Sequence, residues 1–507
     1  MNITRREFAR IAASAAAFQA LSKIGFSAPA EAASSGELTD LTLSEAAAKI
    51  RSGAVTSTQL TEACLARISV YDPKLDAFIT VMKEQALAQA KQLDAELKAG
   101  KSRGPLHGIP LGIKDNIDTA GTRTTGGSAV FEDRMPTEDA TVIAKLKAAG
   151  AVIVGKTNLE EFAIGGGETS YFGPARNPWA LAHNTGGSSS GSGAAISAGL
   201  CYGALGTDTG GSVRMPASYC GIVGLKPTYG LVPIRGIIPL VLSLDHCGPM
   251  TRTVEDNALM LNHMTGFDKL DITSAEHPKE DYVGAMKQPV SGFRLGTPVG
   301  YFDHLDPEVA KAVEEATALL GKLTKGSKEV SLPPTTQGSM FGEMFAYHEE
   351  YFKRAAARYM LPHRRRLEMS ATNPPKASDY VRAKWELDLL RRTIDDAFSD
   401  FDLVVLPTQR ILPPLLDDLI KLAHDSTPKD PNLTSNCGPF DAFGIPAISI
   451  PCGFSKSGLP IGLMIAGPRF SEGKVLALAN AYEKATEWHK RKPPITPDMT
   501  VPPVISG

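Results

Sequence analysis

The sequence lacks the features that mark several classes of protein. It has no run of about 20 apolar residues, the length that a membrane-spanning helix needs. Its six cysteines among 507 residues are too few for a disulfide-stapled scaffold, and none stands at zinc-ligand spacing with a histidine. The 53 basic and 55 acidic residues nearly cancel, which excludes a strongly basic nucleic-acid binder. We therefore expect no membrane span, no metal or other cofactor and no nucleic-acid partner.

The first 32 residues have the layout of an export signal. Residues 4–8 read Thr-Arg-Arg-Glu-Phe and resemble a twin-arginine motif. A mildly apolar, alanine-rich segment follows over 11–26, and Ala-x-Ala cleavage options lie within 28–32. This layout predicts the twin-arginine export machinery as a partner and a periplasmic location. The alternative is an amphipathic N-terminal helix in which the two arginines are a coincidence.

Strand and helix patterns alternate through the rest of the chain. Apolar runs predict strands at 151–154 near one end and at 403–407, 447–451 and 461–465 near the other. Although the length alone suggests about three domains, strands at both ends favour one sheet assembled across the whole length. The sequence therefore predicts a single layered α/β domain over 33–507. Charged helices that bear aromatic residues predict a helical insertion at about 273–400.

Two short motifs match well-known catalytic patterns, but their contexts disagree with the chemistry. Residues 150–157 spell the P-loop pattern, yet the residues between its glycines are β-branched and apolar, so they predict a strand rather than a phosphate-binding loop. Residues 187–191 spell the Gly-x-Ser-x-Gly nucleophile elbow, which must follow a strand. Residues 174–186 read as loop instead. We therefore reject both interpretations.

A third pattern is denser in glycine and serine. Of the 27 residues from 186 to 212, nine are glycine and six are serine. A flexible linker has such a composition, but residues 194–200 in its middle predict a helix of small residues. Glycines around a helix favour tight backbone turns and close packing instead.

This segment resembles the signature of the amidase signature family, whose members are serine hydrolases of amides. By motif position, the resemblance assigns the nucleophile to Ser212, a second serine with a cis peptide bond to Ser188, and an upstream lysine to Lys114. It extends over roughly 40–490 and includes the segments Asn177-Pro178-Trp179, Gly221 to Thr228 and Gly458 to Gly462. It implies a mixed central sheet flanked by helices on both faces (α/β/α).

The resemblance implies a relay of protons during amide cleavage. A serine hydroxyl is a weak nucleophile unless a base activates it. Lys114 can act as that base only as a neutral amine, so burial must lower its pKa from about 10.4 toward neutrality. Ser188 then passes the proton between Lys114 and Ser212 and returns it to the leaving nitrogen.

The substrate contacts also follow from the resemblance. Backbone N–H groups of Thr209, Gly210, Gly211 and Ser212 are expected to stabilise the tetrahedral oxyanion. The backbone near Ala163 is expected to contact the substrate. From the residues themselves, Asp208 and Arg214 are expected to brace the turn around the nucleophile, and the alternative is a surface ion pair that contributes little to stability.

The substrate itself is open at this stage. Aromatic and methionine side chains between 340 and 361 suit either a pocket for a small aryl or alkyl amide or ordinary helix packing. The same triad cleaves carbamates and esters, and an amidotransferase A-type subunit or a non-catalytic binding protein on this scaffold are further alternatives. A homodimer is compatible with the resemblance, because dimers are common among such enzymes.

Overall fold

A computed structural model describes residues 35–165, 169–335, 340, 342–374, 376–424 and 435–504. The predicted export signal lies outside these ranges. The strands are β1 (Phe78–Val81), β2 (Pro110–Lys114), β3 (Val152–Thr157), β4 (Arg176–Asn177), β5 (Ala180–Asn184), β6 (Gly203–Asp208), β7 (Val223–Lys226), β8 (His246–Thr251), β9 (Leu295–Pro298), β10 (Ser327–Val330), β11 (Leu403–Pro407), β12 (Ala447–Phe454) and β13 (Pro460–Ala466).

Within the described ranges, eleven of these strands form one mixed sheet in the order β1-β3-β2-β6-β8-β7-β12-β13-β11-β9-β10. Strand β2 lies between β3 and β6 and is parallel to both, whereas β8, β12 and β13 pair with their neighbours in antiparallel fashion. The sheet thus contains strands from both ends of the described chain, and the predicted mixed α/β fold is confirmed.

The helices cover both faces of this sheet. They are α1 (Ser35–Asp40), α2 (Leu43–Arg51), α3 (Ser57–Leu75), α4 (Lys83–Lys98), α5 (Thr141–Ala148), α6 (Ser190–Ser197), α7 (Arg214–Cys220), α8 (Val254–Met264), α9 (Tyr282–Ala285), α10 (Pro307–Leu323), α11 (Gly342–Ala355), α12 (Leu361–Thr372), α13 (Ala377–Thr393), α14 (Leu416–His424), α15 (Gly438–Phe443) and α16 (Glu472–Thr486). Among the described residues, no helix has the length and apolar character needed to cross a bilayer.

Alternation along β3 shows how the two faces are built. Ile153 packs in one apolar cluster with Ala46 of α2 and Met260 of α8. Its neighbours Val152 and Val154 point to the opposite face, where they pack in a second cluster with helix α4. Because every residue of β3 is buried, the strand has the continuous apolar character typical of a sheet covered on both sides.

Helix α3 shows how local sequence sets an element's start and orientation. It begins at a capping box, in which the Thr56 hydroxyl accepts from the Gln59 N–H and the Gln59 side chain accepts from the Thr56 N–H. Leu60, Cys64 and Ile68 then recur at helical spacing and are buried. The apolar stripe therefore turns toward the sheet.

The region predicted as a helical insertion differs from that expectation. Strands β9 and β10 lie within 273–400 and pair in parallel at the end of the main sheet. Among the described residues, only the later part of this region, α11 to α13, consists of helices with no strand between them. The two strands have four residues each, and three of the four residues of β10 are exposed, so neither has the apolar alternation that identifies a strand. Residues 176–184, read from sequence as loop, form the separate β4–β5 hairpin.

Candidate active site

Lys114 is the last residue of β2 and is completely buried. Its neighbours in the sheet, β3 and β6, deliver side chains to the same edge because all three strands run in parallel. The Lys114 Nζ lies 2.8 Å from the Ser188 Oγ and 2.8 Å from the Thr207 Oγ1. The structure therefore brings the predicted base and the predicted relay serine into direct contact.

Burial controls the charge of this lysine. It lowers the pKa of Lys114 to about 7, against the opposing effect of the Glu160 and Asp208 carboxylates. Within the described part of the chain, no ion pair joins Lys114 to a carboxylate. A substantial fraction of the side chain is therefore a neutral amine near pH 7, the form that accepts a proton.

Ser188 lies two residues before helix α6, in a tightly constrained backbone. Gly186 has a φ of +75°, and the peptide bond between Gly187 and Ser188 is cis. The Ser188 carbonyl accepts from the Glu160 N–H at 3.3 Å. A Cβ at position 187 would lie 2.3 Å from the Glu160 Oε1, so only glycine fits there without displacing that carboxylate.

Ser212 lies in the turn between β6 and α7. Its carbonyl accepts from the Ser189 N–H at 3.2 Å, so its backbone runs beside that of the relay serine. Ser212 is partly exposed, whereas Ser188 and Lys114 are buried. Among the described residues, the Ser212 hydroxyl makes no hydrogen bond. The partly exposed Ser212 hydroxyl is therefore open to an approaching substrate.

A buried carboxylate holds the turn in shape. The Asp208 side chain accepts from the N–H groups of Gly211 at 2.6 Å and Val213 at 3.1 Å, and it pairs with the Arg214 guanidinium at 2.9 Å. Burial raises the pKa of Asp208, but Arg214 outweighs this effect and holds the pKa well below its usual range. Arg214 also binds Asp441 at 2.7 Å, with both side chains fully buried. Asp208 and Arg214 thus have the positions expected of bracing residues.

The four amides predicted for the oxyanion site are not equivalent. The Gly211 N–H already donates to the Asp208 carboxylate, so this N–H group stabilises the turn. Its φ is +127°, and a Cβ there would lie 2.6 Å from the Cys437 Cβ. In the described chain, the N–H groups of Thr209, Gly210 and Ser212 make no hydrogen bond, and the Gly210 backbone is exposed. Within the described residues, these three N–H groups are therefore the ones left free to donate to an oxyanion.

The turn that contains Ala163 lies beside the relay serine. Phe162 and Ala163 have φ values of +52° and +60°, and the Ala163 N–H donates to the Glu160 carbonyl at 2.8 Å. The neighbouring Glu161 carboxylate is buried and lies 2.6 Å from the His363 Nδ1 of helix α12. The turn is therefore anchored on one side to the Ser188 backbone and on the other to the insertion.

The aromatic and methionine side chains between 340 and 361 pack against this same turn. Met340 and Met344 are almost fully buried in a cluster with Phe131 and Phe162. Tyr351 stacks edge-on with Phe131 at a centroid distance of 4.8 Å. Helix packing therefore accounts for this group, and the packed helices back the turn that carries Ala163.

Thr207 is the site residue that sequence reasoning missed. Besides contacting Lys114, its hydroxyl accepts from the Asn116 Nδ2 at 3.1 Å. It directly precedes Asp208 in the Gly/Ser-rich segment, but this position in the sequence does not reveal its contact with Lys114. Both Thr207 and Asn116 are buried, so they hold the lysine head in place without exposing it to water.

The histidines near these motifs have structural partners. The His107 Nε2 lies 2.9 Å from the Leu93 carbonyl, and the His183 Nδ1 lies 2.7 Å from the Pro413 carbonyl. Over the described ranges, no group of three or more His, Cys, Asp or Glu side chains is arranged to hold a metal ion.

Curated relatives match nearly the whole chain. The A-type subunit of glutamyl-tRNA(Gln) amidotransferase from Geobacter sp. (strain M21) is 40% identical over 494 residues, which cover 90% of this chain and 100% of the relative. The protein of the same name from Roseiflexus sp. (strain RS-1) is 41% identical over 487 residues, covering 90% of this chain and 98% of the relative.

These relatives overturn the predicted periplasmic location. They are cytoplasmic proteins, as expected of enzymes named for aminoacyl-tRNA, which is found in the cytoplasm. The prediction of a periplasmic enzyme is therefore wrong. It depended on residues 1–32, which lie outside the described residues.

Solved structures agree with the fold, and the names of these proteins cover several activities. The peptide amidase PAM, in complex with the competitive inhibitor chymostatin, has a TM-score of 0.74 and 31% identity over 90% of this chain and 99% of that one. The 6-aminohexanoate cyclic dimer hydrolase has a TM-score of 0.80 and 27% identity with the same coverage. The A-type subunit of glutamyl-tRNA(Gln) amidotransferase from Thermotoga maritima has a TM-score of 0.69 and 34% identity over 89% of this chain and 94% of that one.

The family assignment follows from a match over most of the chain. The family profile described as Amidase matches residues 59–476, a range that includes Lys114, Ser188 and Ser212. The chain therefore belongs to the amidase family, whose members are hydrolases that act on carbon–nitrogen bonds.

Proposed function

We propose that this chain hydrolyses the C–N bond of a carboxamide through a covalent acyl intermediate on Ser212. The observation that carries the proposal is the buried contact of 2.8 Å between the Lys114 Nζ and the Ser188 Oγ, made by an amine whose pKa is about 7. A lysine in this state accepts a proton near neutral pH and returns it within the same catalytic cycle.

The steps follow from the order of the groups. Lys114 takes the proton of Ser188 as Ser188 takes that of Ser212, and the Ser212 Oγ forms a bond to the amide carbon. N–H groups of Gly210 and its neighbours stabilise the negative oxygen of the tetrahedral intermediate. Ser188 then gives a proton to the nitrogen, the C–N bond breaks, and an amine or ammonia leaves. Water attacks the acyl–Ser212 ester in the same way and releases the carboxylate.

Two substrate classes have support of different kinds. The curated relatives, about 40% identical over almost their whole length, favour the amidase role of an A-type subunit in a tRNA-dependent amidotransferase. That role requires cleavage of a primary amide to supply its nitrogen. The names of two other solved structures, an amidase and the peptide amidase PAM, support a free-standing amidase instead. We favour the amidotransferase type, because the curated relatives are the more similar sequences. A small aryl or alkyl amide, a carbamate or an ester is the second candidate.

A labelling experiment tests the chemistry separately from the substrate. A fluorophosphonate probe reacts with an activated serine, so it is expected to label Ser212 in the wild-type protein and to leave Ser212→Ala unlabelled. The matched control Ser189→Ala removes a hydroxyl that lies 3.2 Å from the Thr207 carbonyl and should remain labelled. An unlabelled wild-type protein would contradict the mechanism and favour a binding protein on this scaffold.

The substrate panel then separates the two classes. We expect release of ammonia from glutamine and other primary amides to exceed the cleavage of anilides, carbamates and esters. Faster turnover of the anilides would favour the free-standing amidase while leaving the labelling result, and hence the mechanism, intact.

A further inference from the structure

The turn Glu161–Ala163, which we call the substrate turn, has an unfavourable backbone. Phe162 and Ala163 follow one another and both have positive φ values, +52° and +60°. Residues other than glycine rarely adopt this left-handed conformation, and two in succession persist only where the surrounding structure holds them in place. The contacts around the substrate turn therefore determine where the Ala163 backbone lies.

A single carboxylate in this turn receives contacts from separate segments of the chain. The Glu161 side chain is fully buried. It accepts hydrogen bonds from the Ser128 hydroxyl at 2.6 Å and from the Met360 N–H at 3.0 Å. The His363 Nδ1, 2.6 Å away, is the next donor, because a carboxylate only accepts. Met360 directly precedes helix α12 and His363 lies in its first turn, so two of these three donors among the described residues belong to the insertion.

The His363 ring is itself held in place by Thr169. Its Nε2 lies 3.1 Å from the Thr169 Oγ1, and the Thr169 carbonyl accepts from the Glu161 N–H at 2.6 Å. All three residues are buried. The ring cannot rotate away from Glu161 without breaking contacts at both of its nitrogens, so the position of the imidazole is fixed relative to the substrate turn.

Aromatic packing joins the insertion to the same turn. The Phe162 ring lies against the His348 ring at a centroid distance of 4.5 Å and against the Tyr359 ring at 5.6 Å. His348 belongs to α11, and Tyr359 lies between α11 and α12. The insertion therefore contacts the two residues that precede Ala163, through hydrogen bonds at Glu161 and through ring packing at Phe162.

We propose that Glu161 is a positioning residue that anchors the substrate turn to the insertion and thereby places the Ala163 backbone for the substrate, without touching the substrate itself. This inference rests on the proposed amide hydrolysis and on the predicted contact between Ala163 and the substrate. Lys114 and Ser188 contact each other directly, at 2.8 Å. Loss of the anchor should therefore weaken substrate binding more than activation of the nucleophile.

The first test separates substrate binding from activation of Ser212. We expect Glu161→Ala to raise KM for a cleaved amide by about tenfold, comparable to one lost hydrogen bond, with kcat changed less than about twofold. Fluorophosphonate labelling of Ser212 should keep its wild-type rate. Glu161→Gln retains an acceptor oxygen and should recover most of the affinity. An unchanged KM in Glu161→Ala, whatever happens to kcat, would overturn the proposal.

A matched control separates anchoring from a general loss of stability. Asp256 is another fully buried carboxylate, and it accepts from the N–H groups of Leu43 and Ser44 in helix α2. Asp256→Ala should lower the free energy of unfolding, as Glu161→Ala does, yet leave both KM and the hydrogen exchange of the substrate turn unchanged. An equal rise of KM in the two variants would indicate general destabilisation and would contradict a specific anchor.

Breaking the anchor from the insertion side gives an independent variant. His363→Ala leaves the sequence of the substrate turn intact and should raise KM by about threefold, because one donor to the Glu161 carboxylate is lost. In the double variant with Glu161→Gln the two effects should not add, because both changes act on one contact. Additive effects would contradict the pairing of Glu161 with His363.

Hydrogen exchange tests the anchor without any substrate. In Glu161→Ala the N–H groups of Ala163 and Ile164, which donate to the carbonyls of residues 160 and 161, should exchange faster than in the wild-type protein. Unchanged exchange would overturn the proposal even if no amide of the panel is cleaved. Faster exchange in a protein that the fluorophosphonate does not label would support the anchor and contradict the proposed function instead.

Discussion

Lys114 and Lys156 lie on adjacent parallel strands and are both completely buried, yet their partners differ in kind. The Lys114 Nζ donates to the hydroxyls of Ser188 and Thr207. The Lys156 Nζ donates to a backbone carbonyl and to the Thr124 Oγ1 at 2.8 Å, and it also faces a carboxylate, the Asp115 Oδ1 at 3.6 Å. Burial lowers the pKa of both amines, to about 7 for Lys114 and about 8 for Lys156.

The difference in partners separates a proton acceptor from a structural ion. A serine hydroxyl is able to pass a proton to a neutral amine and receive it back, so Lys114 gains a chemical role from Ser188. A carboxylate favours the charged amine, and the two charges of Lys156 and Asp115 compensate each other inside the protein. Burial of a lysine is therefore not by itself a sign of catalysis, and the groups in direct contact with the amine decide its role.

Removing each amine in turn is the most direct test of whether the two lysines have different roles. We expect Lys114→Met to lower the turnover of a cleaved amide by about 10³- to 10⁴-fold, the usual contribution of a general acid–base group. Fluorophosphonate labelling of Ser212 should slow in parallel, because the same base activates the serine. Steady-state rates at pH 8 with an amide from the substrate panel are the measurement. Full activity in Lys114→Met would remove the base from the mechanism.

The matched change at Lys156 should act on stability. Lys156→Met leaves the Asp115 carboxylate buried without its counter-charge, and we expect the free energy of unfolding in urea to fall by about 3–5 kcal/mol. The surface pair of Lys147 and Asp139, 2.8 Å apart and partly exposed, provides the control. Lys147→Met should cost less than about 1 kcal/mol.

A second variant distinguishes loss of the charge pair from a general packing defect. Replacing both partners, as in Lys156→Met with Asp115→Asn, removes the uncompensated charge and should recover a large part of the lost stability. Equal destabilisation in the single and double variants would show that the ion pair is not the cause.

The pH dependence of activity should report Lys114. Below a pH of about 7 its amine is protonated and cannot accept the proton of Ser188, so kcat/KM should fall about tenfold for each further unit of pH. Above that pH the neutral amine predominates and the rate should reach a plateau. Rates measured from pH 5 to 9 test this sign directly. An acid limb of the kcat/KM profile with its midpoint near pH 4.5 would instead indicate that a carboxyl group controls the activity.

The surroundings of these two lysines show how far sequence reasoning reached. Residues 150–157, which include β3, match the P-loop pattern letter for letter, and the apolar, β-branched residues between its glycines predicted a strand there. The motif likewise indicated Lys114, Ser188 and Ser212, whose assignment stays a prediction. The role of Thr207 was out of reach, because its contact with Lys114 joins residues 93 positions apart and arises only when β2 and β6 pair. The short strands β9 and β10 at one end of the sheet were missed for a related reason, since pairing with neighbouring strands rather than their own apolar patterns defines them.

The smallest expected effect follows from removing the Thr207 hydroxyl, one of the two hydroxyl partners of the Lys114 amine. In Thr207→Val the Lys114 ammonium loses an acceptor at 2.8 Å, which disfavours the charged form and should move the acid limb of the pH profile lower by about one unit. A hydrogen bond to a charged group contributes about 1.5 kcal/mol, close to the roughly 1.4 kcal/mol of one pKa unit. Thr157, the register partner of Lys114 on β3, has its hydroxyl 2.7 Å from the Ser192 Oγ, so Thr157→Val should leave the limb in place. An acid limb that moves in Thr157→Val but not in Thr207→Val would mean that burial alone, rather than the hydroxyl partners, sets the proton affinity of Lys114.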